Sequence, residues 1–380
     1  MKPADAGIAD DGAPVPFLDL ARMHAPIKEA VLTDFAALID ANAYINGPAV
    51  AEFESAFADY CGTARSVGAA SGLDALRLIL LAAGIERGDE VVVPANTFVA
   101  TLESVTQAGG KPVLVDAREA DWNIDPDATE AAFTERTRFV MPVHLYGQLA
   151  DMRKLGAIAA RRGVGLVEDA CQAHGATRDG VRAGTGGSAA AFSFYPGKNL
   201  GAMGDAGAVV TDDDELADRI VALREHGQRR KYHHELEGWT ARLDTIQAIV
   251  LGHKLPLLDG WNEERRAVAA GYLSELRGVG DLVLPPVAED SDPVWHLFVV
   301  LTGDPEALAA HLRERGIATG RHYPEPPHLS AAYAWLGHRK GEFPVTERIA
   351  EQCLSLPIFP GMTEGEVARV CTAVGDYFRG

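Results

Sequence analysis

"VGLVEDACQAHGA", residues 164–176, sets an apolar run directly against a cluster of polar and glycine residues. Val164 to Val167 read as a short buried strand, and Asp169 stands at its carboxyl end. Several stretches share this form: "DEVVVPANTF" (89–98), "KPVLVDA" (111–117), "RFVMPVHLYG" (138–147) and "AAFSFYPG" (190–197). Between them lie segments with helical spacing, such as "LDALRLILLAAGI" (73–85). Near-continuous apolar strands alternating with helices predict an α/β fold, with a mostly parallel sheet covered on both faces. In such sheets ligands gather beyond the carboxyl ends of the strands, so the polar residues after each run are where chemistry is expected.

Lys198 stands out among these residues. It sits in "AFSFYPGKNLGAMGDAGAVVTDDDEL" (191–216), beside Phe192, Phe194, Tyr195 and Gly197. A lysine ordinarily keeps its ammonium in water. Here it either snorkels to solvent or serves as an amine whose surroundings depress its pKa, as a Schiff-base lysine does. A P-loop is excluded, because Phe192 and Asn199 occupy positions that need glycine and Ser or Thr. "GTGGSA" (184–189) follows a turn and not a strand, which disfavours a dinucleotide site.

Other polar positions bear on that choice. Asp169 is placed to hold a protonated pyridine nitrogen, or to cap a helix. Gln172 is in reach of the ring's phenolic oxygen, or is a satisfied buried amide. Ser71 and Gly72, in "AASGLDAL" (69–76), form either a phosphate seat at a helix N-terminus or an ordinary helix start. Phe98 covers an aromatic cofactor or belongs to the core. Ser193 donates to a phosphate or to a nearby carbonyl. Each signal alone has a bland alternative, but their joint order is specific.

Composition sets outer limits. The 380 residues suggest two units, with a loose tail over 1–15, a large domain over 16–260 and a smaller C-terminal α+β domain over 261–380. A net charge of −19 argues against nucleic acid, whose phosphates recruit clustered basic residues. Four scattered cysteines without a CxxC pair fit a reducing cytoplasm. No signal-peptide core and no membrane span are expected. "KYHHE" (231–235) lacks the spacing of a metal site.

The chain resembles the sugar aminotransferases among fold-type I pyridoxal-phosphate enzymes, from "PFLDLARMHAPIKEAV" (16–31) to its end. "VPANTFVAT", "VEDACQAHGA", "FSFYPGKNLGAMGDAGAVVT", "RLDTIQAIVL" and "GRHYPEPPHLSAAY" carry much of the likeness. The resemblance implies that Lys198 forms the Schiff base with pyridoxal 5′-phosphate, which alternates with pyridoxamine phosphate. It implies that Asp169 pairs with the pyridine nitrogen, Gln172 contacts the phenolic oxygen, and Ser71, Gly72 and Ser193 hold the phosphate. Where the family carries an Asn reaching the phosphate across a dimer, this chain has Thr240. Tyr232 and His233, with His322 and Tyr323, are expected near substrate or at a solvated loop. The implied reaction moves an amino group, with L-glutamate as donor, to a nucleotide-linked keto-deoxysugar. A thymidine-diphosphate 3-keto-6-deoxyhexose is the first choice; C4 amination or a keto-cyclitol is the alternative. The homodimer with shared sites also comes from the family. A dehydratase would replace Lys198 with histidine, and a regulator would add a DNA-binding segment.

Overall fold

The computed structural model describes residues 13–380. Seven strands form the main sheet: β1 (Arg65–Ala69), β2 (Glu90–Pro94), β3 (Lys111–Val115), β4 (Thr137–Val140), β5 (Gly165–Asp169), β6 (Ala189–Ser193) and β7 (Gly207–Thr211). Their spatial order is β1-β7-β6-β5-β4-β2-β3. Neighbours from β6 to β3 run parallel, while β7 is antiparallel to both β1 and β6. The mostly parallel sheet is therefore as expected, with one reversed strand inserted near an edge.

Helices α1 (Pro48–Cys61), α2 (Gly72–Ala82), α3 (Ala100–Gln107), α4 (Asp214–Arg224) and α5 (Thr245–Lys254) cover the sheet. The strands explain why both faces need cover. Ala189, Ala191 and Val209 pack into one core with Leu76, Leu102 and Ile220 from α2, α3 and α4. Their alternate neighbours Ala190, Phe192, Ala208 and Val210 pack into another with Phe53, Phe57 and Leu251 from α1 and α5. A period of two with apolar residues on both faces reads in sequence as an unbroken run. Phe57 meets Phe192 and Phe194 edge-on, with centroids 5.1 Å away in each case. Burying each such ring stabilises the fold by about 2 kcal/mol.

A further core joins α6 (Leu258–Glu275) to the antiparallel pair β8 (Phe298–Leu301) and β9 (Cys353–Leu356), covered by α7 (Pro305–Glu314) and α8 (Glu364–Arg379). The residues taken as the start of the smaller unit fall inside α6, with no break at 260. Leu258 packs with the sheet, whereas Val268 and Tyr272 pack with β8, so the helix ties the two cores together. A 3-10 turn, Leu255–Leu257, joins α5 to α6. Of the tail expected over 1–15, residues 1–12 lie outside the described residues. Val15 is fully buried and bridges to Ile317, so the loose segment does not extend to residue 15. "RFVMPVHLYG" is strand only over its first third. Tyr146, at φ 59°, turns the chain away from the sheet. Among the described residues no helix is long and apolar enough to cross a membrane.

Candidate functional site

A cavity of about 550 Å³ opens at the carboxyl ends of the parallel strands. That size suits a small aromatic cofactor together with part of a substrate. Asp169 ends β5, Ser193 ends β6, and Ser71 and Phe98 follow β1 and β2; all four line the cavity. The reversed strand β7 makes this convergence tight. Gly207 pairs with both Ala69 and Ser193. A Cβ there would stand 2.4 Å from the carbonyl carbon and oxygen of Ser71. A Cβ on Gly72 would fall 2.7 Å from Ser193 Cβ and 2.8 Å from Cys171 Sγ. Both glycines are needed for close approach, which presses the α2 N-terminus against the ends of β5 and β6.

Lys198 follows β6 in a turn closed by its N–H on the Tyr195 carbonyl (2.8 Å). The turn is anchored from behind. Lys254 Nζ donates to the Gly201 carbonyl (2.6 Å), and Asn199 Nδ2 donates to Asn262 Oδ1 (2.9 Å) and to the Val294 carbonyl (2.8 Å). Burial pushes the Lys198 ammonium below its usual pKa, opposed by Cys171 and Asp169. The side chain lines the cavity and does not snorkel away from it. An amine so placed is readily deprotonated, the form that attacks carbonyl carbon.

Asp169 is buried, and both its oxygens accept hydrogen bonds. Oδ1 takes the Cys171 N–H (3.2 Å), and Oδ2 takes the Thr101 hydroxyl (2.8 Å). Gln172 Oε1 accepts the Tyr146 N–H (2.8 Å), which leaves its Nε2 to donate toward the cavity, where it meets Tyr323 Oη (3.2 Å). Gln172 therefore presents a donor to any ligand oxygen. Ser71 Oγ caps α2 by accepting from the Asp74 N–H (3.0 Å) and donates to Asp74 Oδ2 (3.1 Å), so its hydroxyl is already used locally. Gly72 and Leu73, at the positive end of α2, also line the cavity.

His322 and Tyr323 form the wall that comes from the smaller unit. His322 stacks on Phe17 and pairs through Nδ1 with Ser355 Oγ (2.8 Å). Burial, then the charge of Lys198, pushes its ring down to about 4. Tyr323 lies 5.2 Å from Phe98, centroid to centroid. Tyr146 Oη donates to the His322 carbonyl (2.6 Å), linking this wall to Gln172.

The sequence reading is thus brought together at Lys198, Asp169, Ser71, Gly72, Phe98, Gln172, Ser193, His322 and Tyr323, all around one cavity. Three residues lie elsewhere. Thr240 is exposed and its hydroxyl pairs with His226 Nε2 (3.0 Å). Tyr232 and His233 stand on an exposed two-stranded ribbon, Gln228–Arg230 with His233–His234. Sequence reasoning missed Thr101, His296 and Arg265. Thr101 had a faint signal, a hydroxyl four residues beyond Thr97 at a helix start. His296 and Arg265 had none. Arg265 Nη1 donates to the carbonyls of Ile358 (2.9 Å) and Trp295 (3.2 Å), fixing the wall that carries His296, and burial lowers its guanidinium to about 9.

These features fit pyridoxal phosphate. A glycine-lined helix N-terminus suits the phosphate, a carboxylate across the cavity suits the ring nitrogen, and a desolvated amine suits the aldehyde. The donor on Gln172 suits the phenolic oxygen.

The chain matches the DegT/DnrJ/EryC1/StrS aminotransferase family over residues 26–375. It is 49% identical over 363 residues to the dTDP-3-amino-3,4,6-trideoxy-alpha-D-glucose transaminase of Streptomyces venezuelae, covering 96% of each chain. The crystal structure of DesV from S. venezuelae, in complex with a ketimine intermediate, superposes with a TM-score of 0.95. That match is 48% identical and covers 97% of this chain and 99% of that one. NtdA from Bacillus subtilis, solved with bound pyridoxamine phosphate, gives a TM-score of 0.90 at 32% identity, covering 97% of this chain and 86% of that one.

Proposed function

Because this chain belongs to the DegT/DnrJ/EryC1/StrS aminotransferase family and is a pyridoxal-phosphate-dependent aminotransferase, we propose that it aminates a thymidine-diphosphate 3-keto-6-deoxyhexose with L-glutamate as donor. The carrying observation is that Lys198 and Asp169 line one cavity together with Ser71 and Gly72 at the α2 N-terminus. The name of the S. venezuelae relative, a 3-amino-sugar transaminase, supports C3 over C4.

When bound, the cofactor supplies an aldehyde that carries the amino group and a ring that spreads the electron pair left on the donor. The chain supplies the rest. Lys198 Nζ, whose charged form burial disfavours, would bond that aldehyde when no donor is bound. Once displaced by the donor, it would move the proton from the donor's α-carbon to the carbon of the former aldehyde. In the second half-reaction it would carry that proton from the same cofactor carbon to the sugar carbon that gains nitrogen. Asp169 would accept the hydrogen bond from a protonated ring nitrogen, Gln172 Nε2 would donate to the phenolic oxygen, and Phe98 would cover one ring face. Ser193 and the backbone of Gly72 would receive the phosphate, while Ser71 holds the helix end in shape. His322 and Tyr323 meet the sugar.

We further infer a homodimer in which the exposed Tyr232, His233 and Thr240 reach the cavity of a second copy. Tyr232 is 78% exposed, and the segment 229–234 is basic in a chain of net charge −19. That is a complement for a diphosphate.

Incubation with the 3-keto sugar nucleotide and glutamate is expected to give the 3-amino sugar and 2-oxoglutarate. Borohydride reduction of the resting enzyme should tag Lys198. Amination of 4-keto substrates alone would overturn the C3 assignment, and a tag on any other residue would overturn the reaction itself.

A further inference from the structure

Beside Asp169 two hydroxyls stand in line. Thr101 Oγ1 lies 2.8 Å from Asp169 Oδ2, and Thr97 Oγ1 lies 2.7 Å from Thr101 Oγ1. Both threonines are 2% exposed or less. Proton counting fixes the direction. An ionised carboxylate only accepts, so the single proton of Thr101 goes to Asp169. Thr101 must then accept, and Thr97 donates to it at 2.7 Å in preference to the more distant Phe98 carbonyl at 3.3 Å. A chain of this kind is cooperative, each bond polarising the next.

The other carboxylate oxygen is held by the Cys171 N–H (3.2 Å). One donor would leave the carboxylate free to swing about its Cβ–Cγ bond. Two donors, one on each oxygen, set its plane. Thr97 also lines the cavity beside Phe98, whereas Thr101 does not line it. Thr101 therefore touches no ligand and acts only through Asp169.

We propose that Thr101, supplied with a proton by Thr97, is a positioning residue that aims the Asp169 carboxylate at the ring nitrogen of the cofactor. This rests on the role given above to Asp169. The expected consequence is twofold: tighter cofactor binding and a ring nitrogen that keeps its proton to higher pH.

The test uses Thr101→Val, which keeps shape but removes the hydroxyl, with Thr101→Ser, Thr97→Val and Asp169→Asn alongside. Apoprotein is titrated with pyridoxal phosphate by tryptophan fluorescence, and the absorbance of the bound cofactor is followed against pH. Thr101→Val is expected to weaken cofactor binding ~10-fold, the worth of one hydrogen bond to a charged group. It should also move the pH midpoint of the absorbance. Thr97→Val should do the same to a smaller degree, and Thr101→Ser should behave as the parent. A purely structural threonine would change only the melting temperature. If Asp169→Asn alters affinity and midpoint while both valine variants leave them unchanged, the relay is overturned and the Asp169 role survives. If Asp169→Asn alters neither, that role is lost and the relay with it.

Discussion

The cavity floor and the ribbon at 226–240 contrast in almost every physical respect. On the floor, Asp169 and Gln172 are buried, each held by at least two named partners, and the turn bearing Lys198 is pinned by Lys254 and Asn199. The ribbon is exposed over residues 231–237, and its bonds stay largely within itself, as in Tyr232 N–H to Gln228 Oε1 (2.8 Å) and His234 Nδ1 with the His226 carbonyl (2.8 Å). Chemistry that makes and breaks covalent bonds needs groups fixed to fractions of an ångström, and a packed single chain provides that. The ribbon carries no such constraint within the single chain.

The largest effect should come from the floor. Lys198→Ala removes the amine and is expected to lower kcat by about four orders of magnitude, read as aminosugar formed per enzyme. Its melting temperature should hold or rise, since a desolvated charge is gone. A variant that keeps more than a tenth of the parent kcat would break the assignment of this turn as the catalytic region.

An intermediate effect concerns His174, which is fully buried between Phe192 and Phe194, with neither ring nitrogen hydrogen-bonded to the protein. Burial first, and Lys198 second, lower its pKa from 6.5 to about 3. Between these values the unfolded chain binds a proton that the folded one refuses. Stability from this residue is thus intact above about pH 6.5 and is lost as pH falls toward 3, by about 1.4 kcal/mol per pH unit. Urea unfolding at pH 7, 6 and 5 should show a slope in the parent to which His296 and His322 also contribute, reduced by one proton's worth in His174→Gln. Equal slopes would mean that the floor is wetter than its packing implies.

The smallest effect belongs to the ribbon. Tyr232→Ala should change stability by no more than about 0.5 kcal/mol. If the ribbon completes a neighbouring cavity, KM for the nucleotide sugar rises while kcat is kept. A stability loss as large as that of a core residue would erase the contrast between the two regions.

Much of this was legible in the chain. Asp169 and Ser193 were readable because apolar runs end abruptly at strand ends, and Lys198 because a charge in a greasy turn needs a reason. The ribbon residues and Thr240 were grouped with the site through likeness to other chains, and the single chain leaves them outside the cavity. Thr101 looked like any helix hydroxyl, since its partner lies 68 positions onward.

The sequence by itself determined the strand-helix alternation, the two-faced burial of the sheet and the placement of Asp169 and Ser193 at strand ends, because periodicity and polarity act locally and survive in one dimension. Only the tertiary structure decided that β7 runs backwards between β1 and β6, that Gly207 and Gly72 let Ser71 close on Ser193, and that α6 ties the two cores together. Such decisions depend on register and on van der Waals contact between distant segments, which no local pattern of side chains records.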